Sequence, residues 1–441
     1  MVSETAQAFS RVHSDFQNTS DRFVFTAVRN SFPQYAQLYF TRLEIMRGRV
    51  REQALQKWGR DIPIRTLSEL TKDEPCIIIG TAYKEMELKP SVLKDLSENL
   101  DIATQPILPR YAGDHDTLLL EEETQRIVLV GNIDMREIVT GVTVAIMGTE
   151  NEDGEFVVKD HCFAGMPPQP EYPTINTDCY VAFLSGLNLG GDVSSLATLD
   201  LCIESLTGQF GTAVQQRKMS KVTALVLAGN HIAPVKRDTD VSDQKTRYLT
   251  RHSSAGSIDG MQALDGVLMQ LVACMNVFLM PGANDPGNYM LPQQSLHPCM
   301  LPLSNKSTGL RLVTNPFEAE FNGVKFLGTS GQNIGDIYKN CHIDEPLTAM
   351  EKTLTWTHIA PTAPDTLACY PFTDVDPFIL EATPHVYFAG NQGAAGYRLV
   401  KGPTGQTVLL LSVPDFSKVP TLMLVNLKNL EVERITFKDA I

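Results

Sequence analysis

Four glycine-containing turns, each following an apolar run, hold the residues best placed to do chemistry: Ser185-Gly186-Leu187, Gly229-Asn230-His231, Gly282-Ala283-Asn284-Asp285 and Gly390-Asn391-Gln392-Gly393. In α/β folds, sites form in the loops at strand ends. Leucine, alanine and glycine side chains cannot ligate a metal, and neutral amides are weak ligands for a hard dication without carboxylate help. His231 stands one residue past its turn and His385 begins a strand, so both are expected to be hydrogen-bonded structural histidines. Two further patterns lack the frame their chemistry needs. Gly186-Leu187-Asn188-Leu189-Gly190-Gly191 is spaced G-x-x-x-G-G, whereas a dinucleotide loop is G-x-G-x-x-G. Gly328-Thr329-Ser330-Gly331 departs from the G-x-S-x-G frame of a nucleophile elbow and reads as a tight connection. The eight cysteines are never closer than 17 residues, which leaves no C-x-x-C pair and predicts reduced interior thiols of an intracellular protein.

The elements that must position these turns follow from periodicity. Buried strands are expected over 179–184, 222–227, 277–280 and 385–388, with helices over 193–206 and 346–358. Further strands over 311–313, 317–321 and 324–327, the last two joined by Asn322-Gly323, and a β region over 407–437 complete an α/β pattern. The uncharged stretch 266–284 is interrupted by Gln270, Asn276, Pro281 and Gly282, so it predicts a helix and a buried strand rather than a membrane span. Segment 236–251 is charged and reads as a surface loop.

Upstream, residues 1–33 are expected to be a flexible start whose polar composition, with Glu4 and Asp15, excludes a secretory signal and points to cytosol or nucleus. No Lys/Arg cluster of the nuclear-import kind is visible. Tyr35, Tyr39, Leu43, Met46, Val50 and Ala54 recur at spacings of three and four, predicting within 34–70 a helix that Gly59 closes and that lies on the next domain. Within 71–170, short β-type runs over 76–80, 126–131, 142–148 and 156–158, a hairpin turn at Glu152-Asp153-Gly154 and a helix near 91–99 suggest a small Greek-key barrel of the OB kind.

Charge limits what that barrel can bind. The chain carries 37 Lys+Arg against 51 Asp+Glu, a net −14, which disfavours whole-surface attraction to phosphate backbones or anionic lipid. Residues 72–165 alone hold eight Lys/Arg and nineteen Asp/Glu, a balance of −11, with four aromatics, Tyr83, Tyr111, Phe156 and Phe163. A single-strand groove needs positive potential and stacking rings, so a protein-binding or structural barrel is expected. Glu121-Glu122-Glu123, preceded by Asp114 and Asp116, is either a solvated loop or a surface that steers a basic partner element. At 43% hydrophobic residues the chain has material for two or three ordinary domains, and dominant disorder is excluded.

The four repeated strand-and-turn units resemble the calcineurin-type metallophosphoesterases, whose turns read D-x-H, G-D, G-N-H-D/E and G-H-x-H. The resemblance implies a site at which two divalent ions activate water and stabilise phosphoryl charge. Here Ser185 and Leu187 stand where that family has its first Asp and His, and Asn230 replaces the bridging Asp. Ala283 and Asn284 replace the ligand Asn and the catalytic His, Asn391 and Gly393 replace the last two histidines, and only Asp285 survives. Seven substitutions imply a degenerate site over 179–441, with no catalytic residue, no metal and no cofactor.

An acidic OB-like barrel followed by such a domain resembles the B subunits of the eukaryotic replicative DNA polymerases, the delta branch in particular. The segments that carry the resemblance are Leu291-Pro292-Gln293-Gln294 with Leu296-His297-Pro298-Cys299, Phe326-Leu327-Gly328-Thr329-Ser330-Gly331-Gln332-Asn333, the run over 359–367, and Gln406-Thr407-Val408-Leu409-Leu410 with Val413-Pro414-Asp415-Phe416. It implies an α+β multidomain fold: N-terminal helix, OB-fold barrel, then an inactive α/β calcineurin-like domain. It implies also a nuclear, non-catalytic scaffold in DNA replication and repair. The implied partners are the cysteine-rich C-terminal domain of the polymerase catalytic subunit and, in the delta enzyme, the N-terminal domain of the third subunit, with no membrane and only indirect or weak DNA contact. Two alternatives stay open: a working metal-dependent phosphodiesterase or nuclease, against which the lost ligands argue, and a direct single-strand binder, against which the acidic barrel argues.

Overall fold

Helix α1 (Tyr35–Trp58) is the amphipathic helix that the apolar spacing predicts. Its stripe of Leu38, Leu43, Met46, Val50 and Ala54 is buried, while Tyr35 stays exposed. Gly59, at φ 80°, ends it, a conformation that costs a residue without Cβ little. The computed structural model describes residues 9–25, 34–89, 108–191, 196–234 and 256–437. The helix expected near 91–99 and the loop expected over 236–251 lie outside these residues.

Met46, Val50 and Ala54 of α1 pack on Ile77, Ile79 and Ala145, the outer face of a barrel. The barrel closes from β2 (Cys76–Glu85), β3 (Thr117–Glu121), β4 (Arg126–Gly131), β5 (Thr143–Glu150) and β6 (Glu155–Cys162) in the order β2-β3-β4-β6-β5. Only β4 and β6 run parallel. The alternating side chains of these strands, among them Ile78, Leu120, Leu129, Ile146 and Phe156, fill the interior, as expected for so small a barrel.

The rest of the chain forms two six-stranded sheets packed face to face. One runs β10 (Leu310–Leu312), β9 (Asn276–Met280), β8 (Val222–Ala228), β7 (Tyr180–Leu184), β16 (Thr421–Asn426), β17 (Val432–Thr436). The other runs β1 (Phe16–Asn18), β11 (Phe317–Phe321), β12 (Val324–Thr329), β13 (Val386–Gln392), β15 (Thr407–Pro414), β14 (Gly396–Lys401). Phe183, Phe278, Phe317, Phe321, Phe326 and Phe388 meet between them. Helices α2 (Leu196–Thr207) and α4 (Gly256–Val272) cover the first sheet through Leu199, Ile203, Leu264 and Leu268. The short α3 (Ala213–Met219) follows α2. The second sheet is covered by α5 (Gln332–Asn340) and α6 (Pro346–Thr355) through Ile334, Ile337, Met350 and Leu354. Both faces of the central strands are thereby buried, which is why they read as continuous apolar runs rather than alternating ones. Among the described residues, no helix is long and apolar enough to cross a membrane.

The expectation of a flexible start does not describe residues 9–25. The Arg11 guanidinium donates to the carbonyls of Leu206, Met219 and Val222 at 2.6–2.9 Å, where two helices leave main-chain acceptors free. Strand β1 then pairs antiparallel with the edge strand β11, and Phe16 meets Phe278 edge-on at 4.9 Å. Phe23 is fully buried. Two aromatics in a polar segment are enough to tie it down, and a charge count does not register them.

Candidate functional site

The four turns converge at the carboxyl ends of β7, β8, β9 and β13. Main-chain contacts bring the first two together, Gly186 N donating to Gly229 O at 2.9 Å. The turns approach so closely that a Cβ on Gly282 would sit 2.3 Å from Asn230 N, and one on Gly390 would sit 2.4 Å from Ala228 O. The glycines are therefore dictated by backbone proximity.

Asn230 and Asn391 follow glycines in the left-handed region, at φ 54° and 56°. Asparagine tolerates that conformation better than other residues with a side chain, and here both amides also hold neighbouring turns. Asn230 Oδ1 accepts from Asn284 N at 3.1 Å. Asn391 Nδ2 donates to Ala228 O at 3.0 Å and to Ser330 O at 2.8 Å. Ser185 Oγ donates to Pro414 O at 2.9 Å and accepts from Asn391 N at 2.8 Å. Asn284 contributes its main-chain N–H to this lattice, whereas its half-buried side chain makes no hydrogen bond among the described residues. Leu187 is buried in the core beneath α2 and α4, and Ala283 and Gly393 are exposed.

Asp285 is the one carboxylate in these turns. Its Oδ1 accepts from His231 N at 2.8 Å and Ile232 N at 3.2 Å, and its Oδ2 from Gly282 N at 2.7 Å. Both oxygens thus brace the turns. His231 is fully buried, and its Nε2 lies 2.7 Å from Met280 O, a pairing that requires the Nε2–H tautomer. His385 is structural too: Nε2 meets Pro170 O at 3.0 Å and Nδ1 accepts from Lys325 N at 2.9 Å. Burial lowers its pKa, so the neutral ring is favoured.

A two-metal centre does not fit this set. Asn391 Oδ1 and His231 Nδ1 are buried without a partner among the described residues, yet one amide oxygen and one imidazole nitrogen with no free carboxylate are not a donor set for hard dications. Among the described residues, no group of three or more His, Cys, Asp or Glu is placed to hold a metal ion.

A floor of buried amides beneath the turns was not foreseen from spacing. Gln293 Nε2 donates to Gly282 O at 3.0 Å, Asn315 Nδ2 donates to Gln293 Oε1 and Ser330 Oγ at 2.8 Å each, and Ser330 N donates to Asn315 Oδ1 at 3.0 Å. At the far edge, Asn188 Nδ2 donates to Asp415 Oδ1 at 3.0 Å. Three of these residues, Gln293, Ser330 and Asp415, stand in the segments that carry the family resemblance. The signal was present as sequence but had no chemistry attached to it. The Ser330 hydroxyl, tied into this network, is not poised as a nucleophile. All eight cysteines are free, and of these Cys299 alone is exposed, against the expectation of interior thiols.

Residues 181–396 match the family of DNA polymerase alpha/epsilon B subunits, and residues 34–161 match the DNA polymerase delta subunit OB-fold domain. The DNA polymerase delta small subunit of Arabidopsis thaliana is 38% identical over 100% of this chain and 99% of its own. Its counterpart in Saccharomyces cerevisiae is 32% identical over 96% of this chain and 93% of its own. More distant is the DNA polymerase II small subunit of Pyrococcus furiosus, 21% identical over 88% of this chain and 61% of its own. An acidic OB barrel joined to a sheet sandwich whose strand-end turns hold one another, matched over nearly their whole length by the plant and yeast relatives, has one reading: the chain belongs to the family of DNA polymerase delta small subunits, B subunits with an N-terminal OB-fold domain.

Proposed function

We propose that the chain is a non-catalytic scaffold of DNA polymerase delta, joining the cysteine-rich C-terminal domain of the catalytic subunit to the N-terminal domain of the third subunit during nuclear DNA replication and repair. DNA contact in this reading is weak or made through the partners, and the phosphoesterase-like domain is inactive. The observation that carries it is Asp285: the one carboxylate left in the four turns has both oxygens engaged by main-chain N–H groups. A phosphoesterase would need such groups free for metal. The family membership supports the assembly half of the proposal, and the −11 balance over residues 72–165 supports the absence of a strand-binding groove.

Two measurements test it. Purified full-length chain with excess Mn²⁺ is expected to hydrolyse neither a phosphomonoester nor a phosphodiester, and turnover abolished by Asp285→Ala would overturn the inactive assignment. Co-expression with the catalytic and third subunits is expected to give a ternary complex that falls apart into single subunits when this chain is omitted. A stable complex of the other two without it would remove the bridging role.

A further inference from the structure

Between α1 and the turn that joins β3 to β4 lies an open cleft of about 380 Å³. One wall is apolar, made by Tyr39, Phe40 and Leu43 of α1, and the other carries the triple glutamate, Glu121 to Glu123, with Arg126 as the one cation in the lining. Phe40 is 42% exposed although it sits beside the buried Leu43, so the wall offers an uncovered aromatic face.

The three carboxylates are not equivalent. Glu122 is held, its Oε2 accepting from Leu67 N at 3.0 Å. Glu123 is exposed and reaches Arg47 only at 3.9 Å. Glu121 is half-buried and has no side-chain hydrogen bond or ion pair among the described residues. Burial raises its pKa, with Arg126 pulling the other way and Asp365 adding to the rise. A partly desolvated carboxylate beside an uncovered ring is complementary to a cation carried on an apolar stem or next to an apolar side chain. Nucleic acid and anionic membrane are repelled by the same surface.

We propose that this cleft docks a partner polypeptide segment of basic amphipathic character, which covers Phe40 with a bulky apolar side chain and places lysine or arginine between Glu121 and Glu123. The inference goes beyond the scaffold reading, because it concerns a surface of this chain alone and holds whichever protein supplies the segment.

The probe is a short fluorescent helical peptide with leucine and phenylalanine on one face flanked by lysines, titrated by anisotropy against the full-length chain. Two companions carry alanine for the apolar residues, or glutamate for the lysines. The lysine–phenylalanine peptide is expected to bind, more weakly as salt rises, and to lose about tenfold or more in affinity with Phe40→Ser or with Glu121→Gln combined with Glu123→Gln. Reversing charge in Glu121→Lys combined with Glu123→Lys is expected to move the preference to the glutamate–phenylalanine peptide, a gain that misfolding cannot produce. Glu431→Lys, in the β16–β17 turn of the sandwich, is expected to leave binding unchanged. No binding, binding insensitive to these cleft variants, or equal binding of the alanine companion would overturn the proposal. The scaffold reading is decided by subunit co-purification and is untouched by any of these outcomes.

Discussion

The most constrained side chains of this molecule lie away from the strand-end turns. Arg42 of α1 is fully buried; its Nε donates to Asp376 Oδ2 at 2.7 Å, and its other nitrogens to Pro361 O at 2.9 Å and Ala363 O at 2.6 Å. His358 completes the group with Nε2 at 2.9 Å from the same Asp376 oxygen, while its Nδ1 accepts from Ala360 N at 3.2 Å. A ring that accepts at Nδ1 must be neutral, and burial, reinforced by Arg42, lowers its pKa to about 4. For Asp376, burial works upward, but Arg42 and then His358 outweigh it and hold the carboxyl well below the usual range. The sign follows from linkage: unfolded histidine titrates near 6.5, so the contribution of neutral His358 is fully present above about pH 6.5 and is lost as pH falls toward 4, up to about 3 kcal/mol. The melting temperature is expected to drop across that window, and His358→Gln, which keeps a donor for Asp376 but cannot titrate, is expected to flatten the drop; parallel curves for both proteins would refute this. At the turns, Asn391→Ala strands the carbonyls of Ala228 and Ser330 and is expected to cost about 1–3 kcal/mol in denaturant unfolding. An unchanged midpoint would mean that the amide is not structural. The asparagines of the turns were legible in the sequence because each ends an apolar run. Arg42, His358 and Asp376 were not, because Arg42 stands more than 300 positions from both partners and leaves no spacing signal, and a charged residue in a helical pattern is ordinarily solvated.

Elements were legible in proportion to their apolar content. Strands such as Tyr180–Leu184 and Val222–Ala228 are buried throughout and stood out as runs. Helix Gln332–Asn340 did not, because its buried positions include Asn333, Asp336 and Asn340. Asn333 Nδ2 donates to Ile359 O at 2.6 Å and Asn340 Nδ2 to Asp336 O at 2.8 Å, so polar residues hold the helix where apolar ones would have announced it. The helix predicted over 346–358 stops at Thr355, since Thr357 turns into the left-handed region at φ 61°. Strand Phe16–Asn18 is the largest omission: three residues covering the edge of a sheet, in a segment read as flexible. Covering an edge removes a template for intermolecular pairing. Residues just after the strand hold it in place, because Ser20 Oγ donates to Glu318 O at 2.8 Å and Phe23 enters the core. Phe23→Ala is expected to cost about 3–5 kcal/mol and to expose the N-terminal segment to limited proteolysis before the rest of the chain is cut. Cleavage kinetics identical to the parent would show that the edge strand stays docked without that anchor.

At the scale of the whole molecule, the two-part architecture was readable because the pattern changes from isolated β runs to alternating strands and helices near residue 179. How the parts are joined was not, since the joint is built from side chains that meet main chain far along the sequence. One apolar cluster runs from the barrel interior, through Val139 and Val142, to α5, α6 and Tyr387. Beside it Lys84 of the barrel, 1% exposed, donates to Asn340 O at 3.1 Å and lies 3.6 Å from Asp116. Burial lowers its pKa and Asp116 resists that, a balance that survives only while barrel and sandwich stay in contact. The Arg42 group closes the same joint from the other side, because Gly141 O from the barrel and Pro361 O from the sandwich share its Nη1 at 3.3 and 2.9 Å. Separating the two parts would break the Arg42–Asp376 pair and the Lys84–Asn340 hydrogen bond and expose the apolar cluster that both parts share, so the parts are expected to unfold together. The chain has two tryptophans, and they report on opposite sides of the joint. Trp58 ends α1 and donates to Asp160 Oδ2 at 2.8 Å, whereas Trp356 is 1% exposed after α6 and faces Phe163 at 6.5 Å. Urea titration of Trp58→Phe and of Trp356→Phe, each leaving one reporter, is expected to show for each variant a fluorescence midpoint that coincides with its own far-ultraviolet circular dichroism midpoint. A fluorescence transition that precedes the loss of secondary structure in either variant would mean that barrel and sandwich are independent bodies, and that the buried charges at the joint have found water without unfolding the rest.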